Sequence, residues 1–374
     1  METFVSEHKV PGAALAVAKD GKLIYARGFG YADKEKGEPV EPTSLFRIAS
    51  VSKPFTSAAI MQLVEQGKLS LDQSWLPILG LHPRPDQHPD PRLSTITLTE
   101  LLQHRGGWDR DKSFDPMFRP ILIADYLHTP PPAGPEQVIQ YMLGQPLDFT
   151  PGERYAYSNF GYCILGRVIE KTSRESYEHY VRTHVLAPLG IHDMRLGRSL
   201  SQFRAEGEVK YYPRGSSNCV FPPNLGKRVP SAYGGWNLEA MDSHGGWIAS
   251  APDLVRFACA FDHPNHSPIL SSNSITQTFA RPRGETGAVY YAFGWQVRHI
   301  NSRGGINTWH NGLLDGTSSL LVRRHDGLAW AVLFNASHDP ERKLLGTLID
   351  PLVHQAADQV KSWPDRDLFP ELLR

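Results

Sequence analysis

The stretch from Phe46 to Gly67 constrains the fold more than any other part of the chain. Its middle is almost entirely apolar, and apolar residues occupy most of the circumference of a helix built on it. Such a helix has no polar face for solvent, so the sequence predicts a core helix between two layers. We expect it to begin near Ser50, to tolerate Pro54 in its first turn, and to end at Gly67 in a left-handed conformation.

Ser50 and Lys53 lie three residues apart at the start of this helix and should share one face. The free N–H groups of a helix start favour an oxyanion, and a desolvated lysine can help to take the proton of a serine hydroxyl. Ser50-x-x-Lys53 is therefore a candidate activated nucleophile. So short a pattern also arises by chance, as it does at Ser6-x-x-Lys9, where no helix pattern follows.

The composition excludes some classes of partner. The 374 residues include 39 Lys and Arg against 39 Asp and Glu, which gives no formal net charge. No basic stripe stands out, so neither nucleic acid nor an anionic membrane is expected as the main partner. The three cysteines, Cys163, Cys219 and Cys259, are scattered, which predicts no disulfide framework and no metal site and favours a reducing compartment.

The start of the chain lacks the basic and apolar regions of a signal peptide, and no run is long enough to span a bilayer. These features favour a soluble cytoplasmic protein, or a periplasmic or secreted one if a signal peptide has been removed. The sequence leaves the oligomeric state open.

Strands are predicted near both ends of the chain and helices between them. Asp20-Gly21 and Asp326-Gly327 each separate two strand-like runs, a turn chemistry typical of hairpins. The predicted strands are 13–18, 23–28, 290–299, 317–323 and 328–334, and the predicted helices are 97–102, 158–172, 175–187, 252–261 and 339–360. Residues 109–150 are expected to be irregular, as a pocket wall, lid or insertion, and 197–240 are left unassigned. This order indicates an α+β fold with a sheet built from both chain ends.

A second polar group follows a Pro-Gly turn and precedes a predicted helix, at Tyr157 and Asn159. A lysine ammonium close to Tyr157 would lower the pKa of the phenol, so that the phenolate could act as a base toward a serine hydroxyl. Asn159 offers a donor and an acceptor to a substrate amide or ester. The alternative is structural, because an aromatic residue before a helix often packs and Asn159 could be a plain helix cap.

A third group, His310 to Leu313, is expected at the head of a late strand. Gly312 would let the backbone approach a ligand, and the N–H of Leu313 could join that of Ser50 as an oxyanion donor. His310 could hydrogen-bond Tyr157 or a substrate carboxylate. The pattern His-x-Gly also occurs at residues 104–106 and 244–246, so only the place in the chain distinguishes His310.

Together, Ser50-Val51-Ser52-Lys53, Tyr157-Ser158-Asn159 and His310-Asn311-Gly312 resemble the motif set of the serine β-lactamase and penicillin-binding-protein superfamily. The tyrosine in the second motif is similar to the class C branch, which includes class C β-lactamases, DD-peptidases, D-aminopeptidases and family VIII esterases. Further segments resemble family hallmarks in family order, namely 10–13, 28–33, 101–104, 188–191 and 245–247. The resemblance therefore covers most of the chain.

The resemblance implies an α/β sheet domain from residues 1–75 and 240–374 and a mostly helical domain with pocket-lining loops from 76–239, with the site between them. It implies that Ser50 attacks a carbonyl while Lys53 and Tyr157 handle its proton. Asn159 would hold the acyl side chain, and the N–H groups of Ser50 and Leu313 would form the oxyanion hole. No metal or organic cofactor is implied.

One departure affects the expected substrate. The third motif of class C β-lactamases begins with lysine, whereas this chain has His310, which is mostly neutral near pH 7. The leading interpretation is therefore a serine carboxylesterase or amidase acting on a small molecule. The alternatives are a DD-peptidase or penicillin-binding enzyme with weak β-lactamase activity, and a non-catalytic relative that binds a ligand. The natural substrate and the acyl-chain preference stay open.

Overall fold

The computed structural model describes residues 1–300 and 305–373. Its main feature is an eight-stranded antiparallel sheet in the order β3-β2-β1-β13-β12-β11-β10-β9. The strands are β1 Gly12–Lys19, β2 Lys22–Asp33, β3 Glu38–Pro39, β4 Phe46–Arg47, β5 Arg195–Leu196, β6 Ser216–Asn218, β7 Arg228–Pro230, β8 Trp247–Ala249, β9 Val289–Tyr291, β10 Gln296–His299, β11 Ile306–Leu314, β12 Thr317–Arg323 and β13 Leu328–Phe334. Strand β1 pairs with β13, so the two ends of the chain meet inside one sheet, as the sequence predicts.

Helices cover both faces of the sheet and fill the middle of the chain. They are α1 Glu2–Glu7, α2 Lys53–Glu65, α3 Trp75–Leu79, α4 Leu98–Leu102, α5 Pro120–Leu127, α6 Pro135–Met142, α7 Asn159–Ser173, α8 Tyr177–Tyr180, α9 Asp242–Gly245, α10 Ala251–Cys259, α11 Ser272–Thr278, α12 Leu345–Asp358 and α13 Phe369–Leu372. Within the described residues, no helix is long and apolar enough to cross a membrane. The α+β class is confirmed, while the division into domains at residues 75 and 240 stays a prediction.

Helix α2 is the predicted core helix. A 3₁₀ turn at Ala49–Ser52 leads into it, Pro54 occupies its first turn, and Gly67 adopts a left-handed φ of 67° just beyond its end. Eleven of its thirteen residues are buried, from Lys53 to Leu63. It packs against α7 in the helical region and against α11. Because every side of α2 is covered, the residues at its N-terminus are held in a fixed position.

The hairpins form where Asp-Gly turns predict them, since Gly21 and Gly327 both take the left-handed conformation that such turns need. The segment 290–299 is two short strands rather than one. The chain turns at Gly294, which has a φ of 78° and lies against the start of α2. The last helix begins at Leu345 rather than at 339.

The expectation that residues 109–150 are irregular is wrong. They contain α5 and α6 and a 3₁₀ turn at Pro116–Phe118. Each of these begins with a proline, and proline suits the first position of a helix because no intrahelical N–H bond is needed there. The proline density marks helix starts as well as loops. In the unassigned stretch 197–240, β6 and β7 form a small hairpin.

Shortening Phe55 should destabilise the protein severely. Its side chain is completely buried in α2, and its ring centre lies 4.1 Å from that of Phe257 on α10. We expect Phe55→Ala to lower the free energy of unfolding by about 3–5 kcal/mol, measured by urea denaturation. Leu352→Ala is the control, because that side chain is 47% exposed. Equal losses in the two variants would contradict the placement of α2 in the core.

Candidate active site

Ser50 lies in the 3₁₀ turn that precedes α2. The residue before it, Ala49, has a φ of 46°, a left-handed conformation that is uncommon for a residue with a side chain. Two hydroxyls of β12 hold the backbone just upstream, as Thr317 Oγ1 donates to the carbonyl of Arg47 at 2.8 Å and Ser319 Oγ to that of Ile48 at 2.6 Å. A strained turn that the surrounding sheet enforces is a feature of functional sites.

Lys53 is completely buried and has three oxygen neighbours. Its Nζ lies 3.1 Å from Ser50 Oγ, 2.8 Å from Asn159 Oδ1 and 2.9 Å from the carbonyl oxygen of His244. Burial lowers the pKa of Lys53 well below its ordinary value, because an ammonium loses its hydration there. The environment therefore favours the neutral amine.

A neutral amine has two N–H groups and one lone pair. The amide oxygen of Asn159 and the carbonyl of His244 can only accept, so they take the two N–H groups. Of the three neighbours, only the Ser50 hydroxyl can donate. The lone pair of Lys53 therefore faces the proton of Ser50, which is the arrangement of a nucleophile and its base.

The hydroxyl of Tyr157 donates to Ser50 Oγ at 2.7 Å. The expected fall in its pKa is wrong: burial raises the pKa of Tyr157 instead. Lys53 Nζ is 4.7 Å from the centre of the ring, but the same burial that disfavours the phenolate also disfavours the ammonium that was expected to stabilise it. Tyr157 is therefore poised as a proton donor rather than as a base.

Asn159 is the first residue of α7 and uses both ends of its amide within the protein. Its Oδ1 accepts from Lys53, and its Nδ2 donates to Asp115 Oδ2 at 2.7 Å. The other oxygen of Asp115 accepts from the backbone N–H of Met117 at 3.1 Å, as an N-cap. Sequence reasoning missed Asp115 because it lies in the stretch taken as irregular. The pair Asp115-Pro116, a common helix-start signal, could have revealed its position.

His104 forms part of the wall behind Tyr157 and was also missed. Its ring centre lies 4.3 Å from that of Tyr157 and 4.4 Å from that of Tyr291. Its Nδ1 accepts from the backbone N–H of Ser158 at 3.2 Å, and burial lowers its pKa well below the ordinary value. The ring is thus neutral and packs the catalytic tyrosine candidate from one side.

His310 lies in the middle of β11 rather than at its head. Of its two expected partners, Tyr157 forms no hydrogen bond with it among the described residues, and a substrate carboxylate stays a prediction. It is 2% exposed, its Nδ1 is 2.7 Å from the carbonyl of Asn311, and its Nε2 is 2.9 Å from the hydroxyl of Tyr291. Burial lowers its pKa to about 3, so the ring is neutral. A neutral ring that donates from Nδ1 must accept at Nε2 from Tyr291. His310 therefore supports the wall of the site from behind Tyr291.

Gly312 allows β11 to approach the backbone that precedes Ser50, while its approach to a ligand stays a prediction. A Cβ at this position would overlap the carbonyl oxygen of Ile48 and would come within 3.1 Å of the Ala49 Cβ. Gly312 is paired with Ser319 and Leu313 with Ser318 across the two strands. The main chain of Leu313 therefore runs beside the turn that carries Ser50, and its side chain is 42% exposed.

The site also contains a positively charged residue, Arg110, which belongs to none of the three sequence motifs. The guanidinium carbon of Arg110 is 4.7 Å from the centre of the Tyr157 ring, and the side chain is 42% exposed. Among the described residues, its carboxylate neighbour within 4.0 Å is Asp111 at 3.9 Å. A guanidinium carries a positive charge and can bind a carboxylate, which the neutral ring of His310 cannot do as an ion pair.

The fold and this arrangement of a serine, a buried lysine and a tyrosine around one hydrogen-bonded oxygen agree with the sequence comparison. A profile of the Beta-lactamase family matches residues 1–353, so the chain belongs to that family, the serine β-lactamase and penicillin-binding-protein superfamily expected from its motifs.

Three individual proteins illustrate what this chain is similar to. "Penicillin-binding protein 4*" of Bacillus subtilis (strain 168) is 29% identical over 87% of this chain, which spans 68% of that protein. The octameric penicillin-binding protein homologue from Pyrococcus abyssi is 26% identical, with a TM-score of 0.69 over 94% of this chain and 75% of that one. The D-amino acid amidase from Ochrobactrum anthropi SV3 shares the fold at 20% identity, with a TM-score of 0.70 over 96% of each chain.

Gly312→Ala should destabilise the protein and disturb the turn that carries Ser50, because the added methyl group would meet backbone that has little room to move. We expect a loss of at least about 2 kcal/mol in the free energy of unfolding, measured by urea denaturation. Gly161→Ala is the matched control, since its nearest neighbour would be the carbonyl of Leu101 at an ordinary 3.5 Å. A Gly312→Ala variant as stable as the control would contradict the close approach of β11 to Ile48.

Proposed function

We propose that this chain is a serine hydrolase that cleaves a small ester or amide through an acyl-enzyme on Ser50, with a carboxylesterase as the leading assignment. Family membership supports a hydrolase at the general level. The proposal rests on the surroundings of Ser50 Oγ. The amine of Lys53, whose burial favours its neutral form, lies 3.1 Å away, and the hydroxyl of Tyr157 donates to Ser50 Oγ at 2.7 Å. These are the parts that an activated nucleophile needs.

In the proposed reaction, Lys53 takes the proton of Ser50 as the oxygen attacks the substrate carbonyl. The N–H groups of Ser50 and Leu313 are proposed to stabilise the oxyanion that forms. Tyr157 then gives its proton to the leaving group, and the Lys53 ammonium returns the proton to the phenolate. Water then attacks the acyl-enzyme: the neutral amine of Lys53 takes a proton from the water, and the resulting ammonium gives a proton back to Ser50 Oγ as the acid is released.

The neutral state of His310 supports the esterase assignment. A lysine in the third motif would place a permanent charge where a carboxylate-bearing β-lactam could bind, whereas His310 is buried and its pKa is about 3. We therefore expect weak β-lactamase activity at most. Asn159 is proposed to contact the acyl side chain from its place beside Lys53.

The second candidate is a DD-peptidase or penicillin-binding enzyme. Arg110 favours it, because a guanidinium beside the Tyr157 ring could bind a substrate carboxylate. The names of the penicillin-binding relatives point the same way. A panel of p-nitrophenyl esters, nitrocefin and D-alanyl peptides separates the candidates: fast ester turnover supports the first, and cleavage of D-alanyl peptides supports the second. A non-catalytic ligand-binding relative would turn over none of these compounds.

Ser50→Ala should lower kcat/KM for p-nitrophenyl acetate by at least about 1000-fold, because no other group replaces a lost nucleophile. It should also abolish the adduct with a fluorophosphonate, seen by mass spectrometry. Ser6→Ala is the matched control: Ser6 belongs to the second Ser-x-x-Lys pattern but lies exposed on α1. Full activity in Ser50→Ala, or an adduct on Ser6, would overturn the assignment.

Activity should be lost as the pH falls through the pKa of Lys53, because only the neutral amine accepts the serine proton. We call this fall in kcat/KM at low pH the acidic limb of the pH profile. His310→Gln should keep the acidic limb, since the pKa of His310 is about 3 and its ring stays neutral over the working range. The measurement is kcat/KM for a neutral ester from pH 4 to 10 in both proteins. Loss of the limb in His310→Gln would assign the titration to the histidine instead.

A further inference from the structure

The hydrogen bonds of the site continue past Lys53 to a carboxylate that belongs to none of the three motifs. Lys53 donates to Asn159 Oδ1, and Asn159 Nδ2 donates to Asp115 Oδ2, at 2.8 and 2.7 Å. From this chain of contacts we propose that Asp115 is a positioning residue for Lys53, which it orients and tunes electrostatically through the amide of Asn159. The inference rests on the proposed function of the same site.

The first part of the argument concerns orientation. The two ends of an asparagine amide have nearly the same shape, so the amide could be turned with its NH₂ group toward Lys53. That orientation would leave a donor facing a donor. A carboxylate can only accept, so Asp115 selects the orientation in which Nδ2 points to it and Oδ1 points to Lys53. With Oδ1 there, one N–H of the amine is fixed and its lone pair stays directed at Ser50.

The second part concerns charge. A carboxylate one amide away from Lys53 favours the ammonium and so opposes the effect of burial, while the guanidinium of Arg110 disfavours the ammonium. Burial raises the pKa of Asp115 itself, and the bond from Asn159 and the N-cap bond from Met117 offset part of that rise. The titratable and charged groups around Lys53 are Arg110, Asp115, His104, His244, His310, Tyr157 and Tyr162.

Of these groups, Asp115 is the acid. The three histidines have pKa values lowered by burial and the two tyrosines have pKa values raised by burial, so all five are neutral near pH 7. Within residues 1–300 and 305–373, the protonation of Lys53 is thus set by burial, the carboxylate of Asp115 and the guanidinium of Arg110. Asp115 raises the pKa of Lys53 and so opposes the effect of burial on the basicity of the amine.

The test measures the rate at which a fluorophosphonate labels Ser50 as a function of pH. Asp115→Asn keeps an acceptor for Asn159 but removes the charge, so the acidic limb should move to lower pH by about one pH unit. Asp115→Ala removes both the acceptor and the charge, and it should slow labelling about 10- to 100-fold at the pH where labelling is fastest. Asp115→Glu, which keeps the charge, should leave the limb nearer its original position than Asp115→Asn does.

Asp148→Asn is the matched control. The carboxylate of Asp148 holds the same loop, accepting from the backbone N–H of Asp109 at 2.8 Å and from the hydroxyl of Ser113 at 2.9 Å, but it has no bond to Asn159. It should affect stability without moving the limb. Asn159→Ala combined with Asp115→Ala should cost no more than Asn159→Ala alone, because Asp115 acts through that amide.

Two results would overturn the inference. If Asp115→Asn and Asp148→Asn leave the limb in the same place, Asp115 only holds the loop. If the losses from Asn159→Ala and Asp115→Ala add fully, Asp115 does not act through Asn159. A wild-type protein in which Ser50 is not labelled at any pH would instead overturn the proposed function, and the inference with it.

Discussion

The desolvation of Lys53 is the physical constraint on which the site depends. An uncompensated ammonium inside a protein is costly, so the complete burial of Lys53 at the start of a core helix favours the neutral amine. The helix supplies the burial, two acceptors from distant parts of the chain supply the hydrogen bonds, and the serine one turn earlier receives the remaining lone pair. The packing of α2 that stabilises the fold therefore also favours the neutral amine that the proposed role of Lys53 as a base requires.

Much of the fold and of the candidate site could be predicted from the sequence, because the features that indicate them lie within short stretches of the chain. The core helix, its Gly67 end and the two Asp-Gly hairpins follow from periodicity and turn chemistry, and the motifs around Ser50 and Tyr157 follow from residue type and spacing. The direction of the Tyr157 pKa shift could not be predicted in the same way. It depends on whether burial or a neighbouring charge dominates, and the sequence shows the neighbour but not the depth of burial.

The features of the site that the sequence did not reveal have one cause in common. The close partner of Gly312 within the protein is the carbonyl of Ile48, which lies about 260 positions earlier in the chain. Asp115 is linked to the site by its hydrogen bond with Asn159, and the two residues are 44 positions apart in the chain. Contacts of this kind are set by topology, and one sequence does not reveal them. His310 matches a motif position, but the hydrogen bond between its Nε2 and the hydroxyl of Tyr291 depends on a residue that the motif does not include.

The sheet joins the first strands of the chain to the last, and this has a consequence for synthesis. The hydroxyls of Thr317 and Ser319 that hold the backbone before Ser50 are separated from it by 270 and 271 residues. While the ribosome is still making the C-terminal third, the strained turn at Ala49 has no anchor, and pairing at such separation is slow to form. An emerging or truncated chain therefore carries Ser50 without the geometry around it, and the reaction proposed for Ser50 would start only when the last strands have closed the sheet.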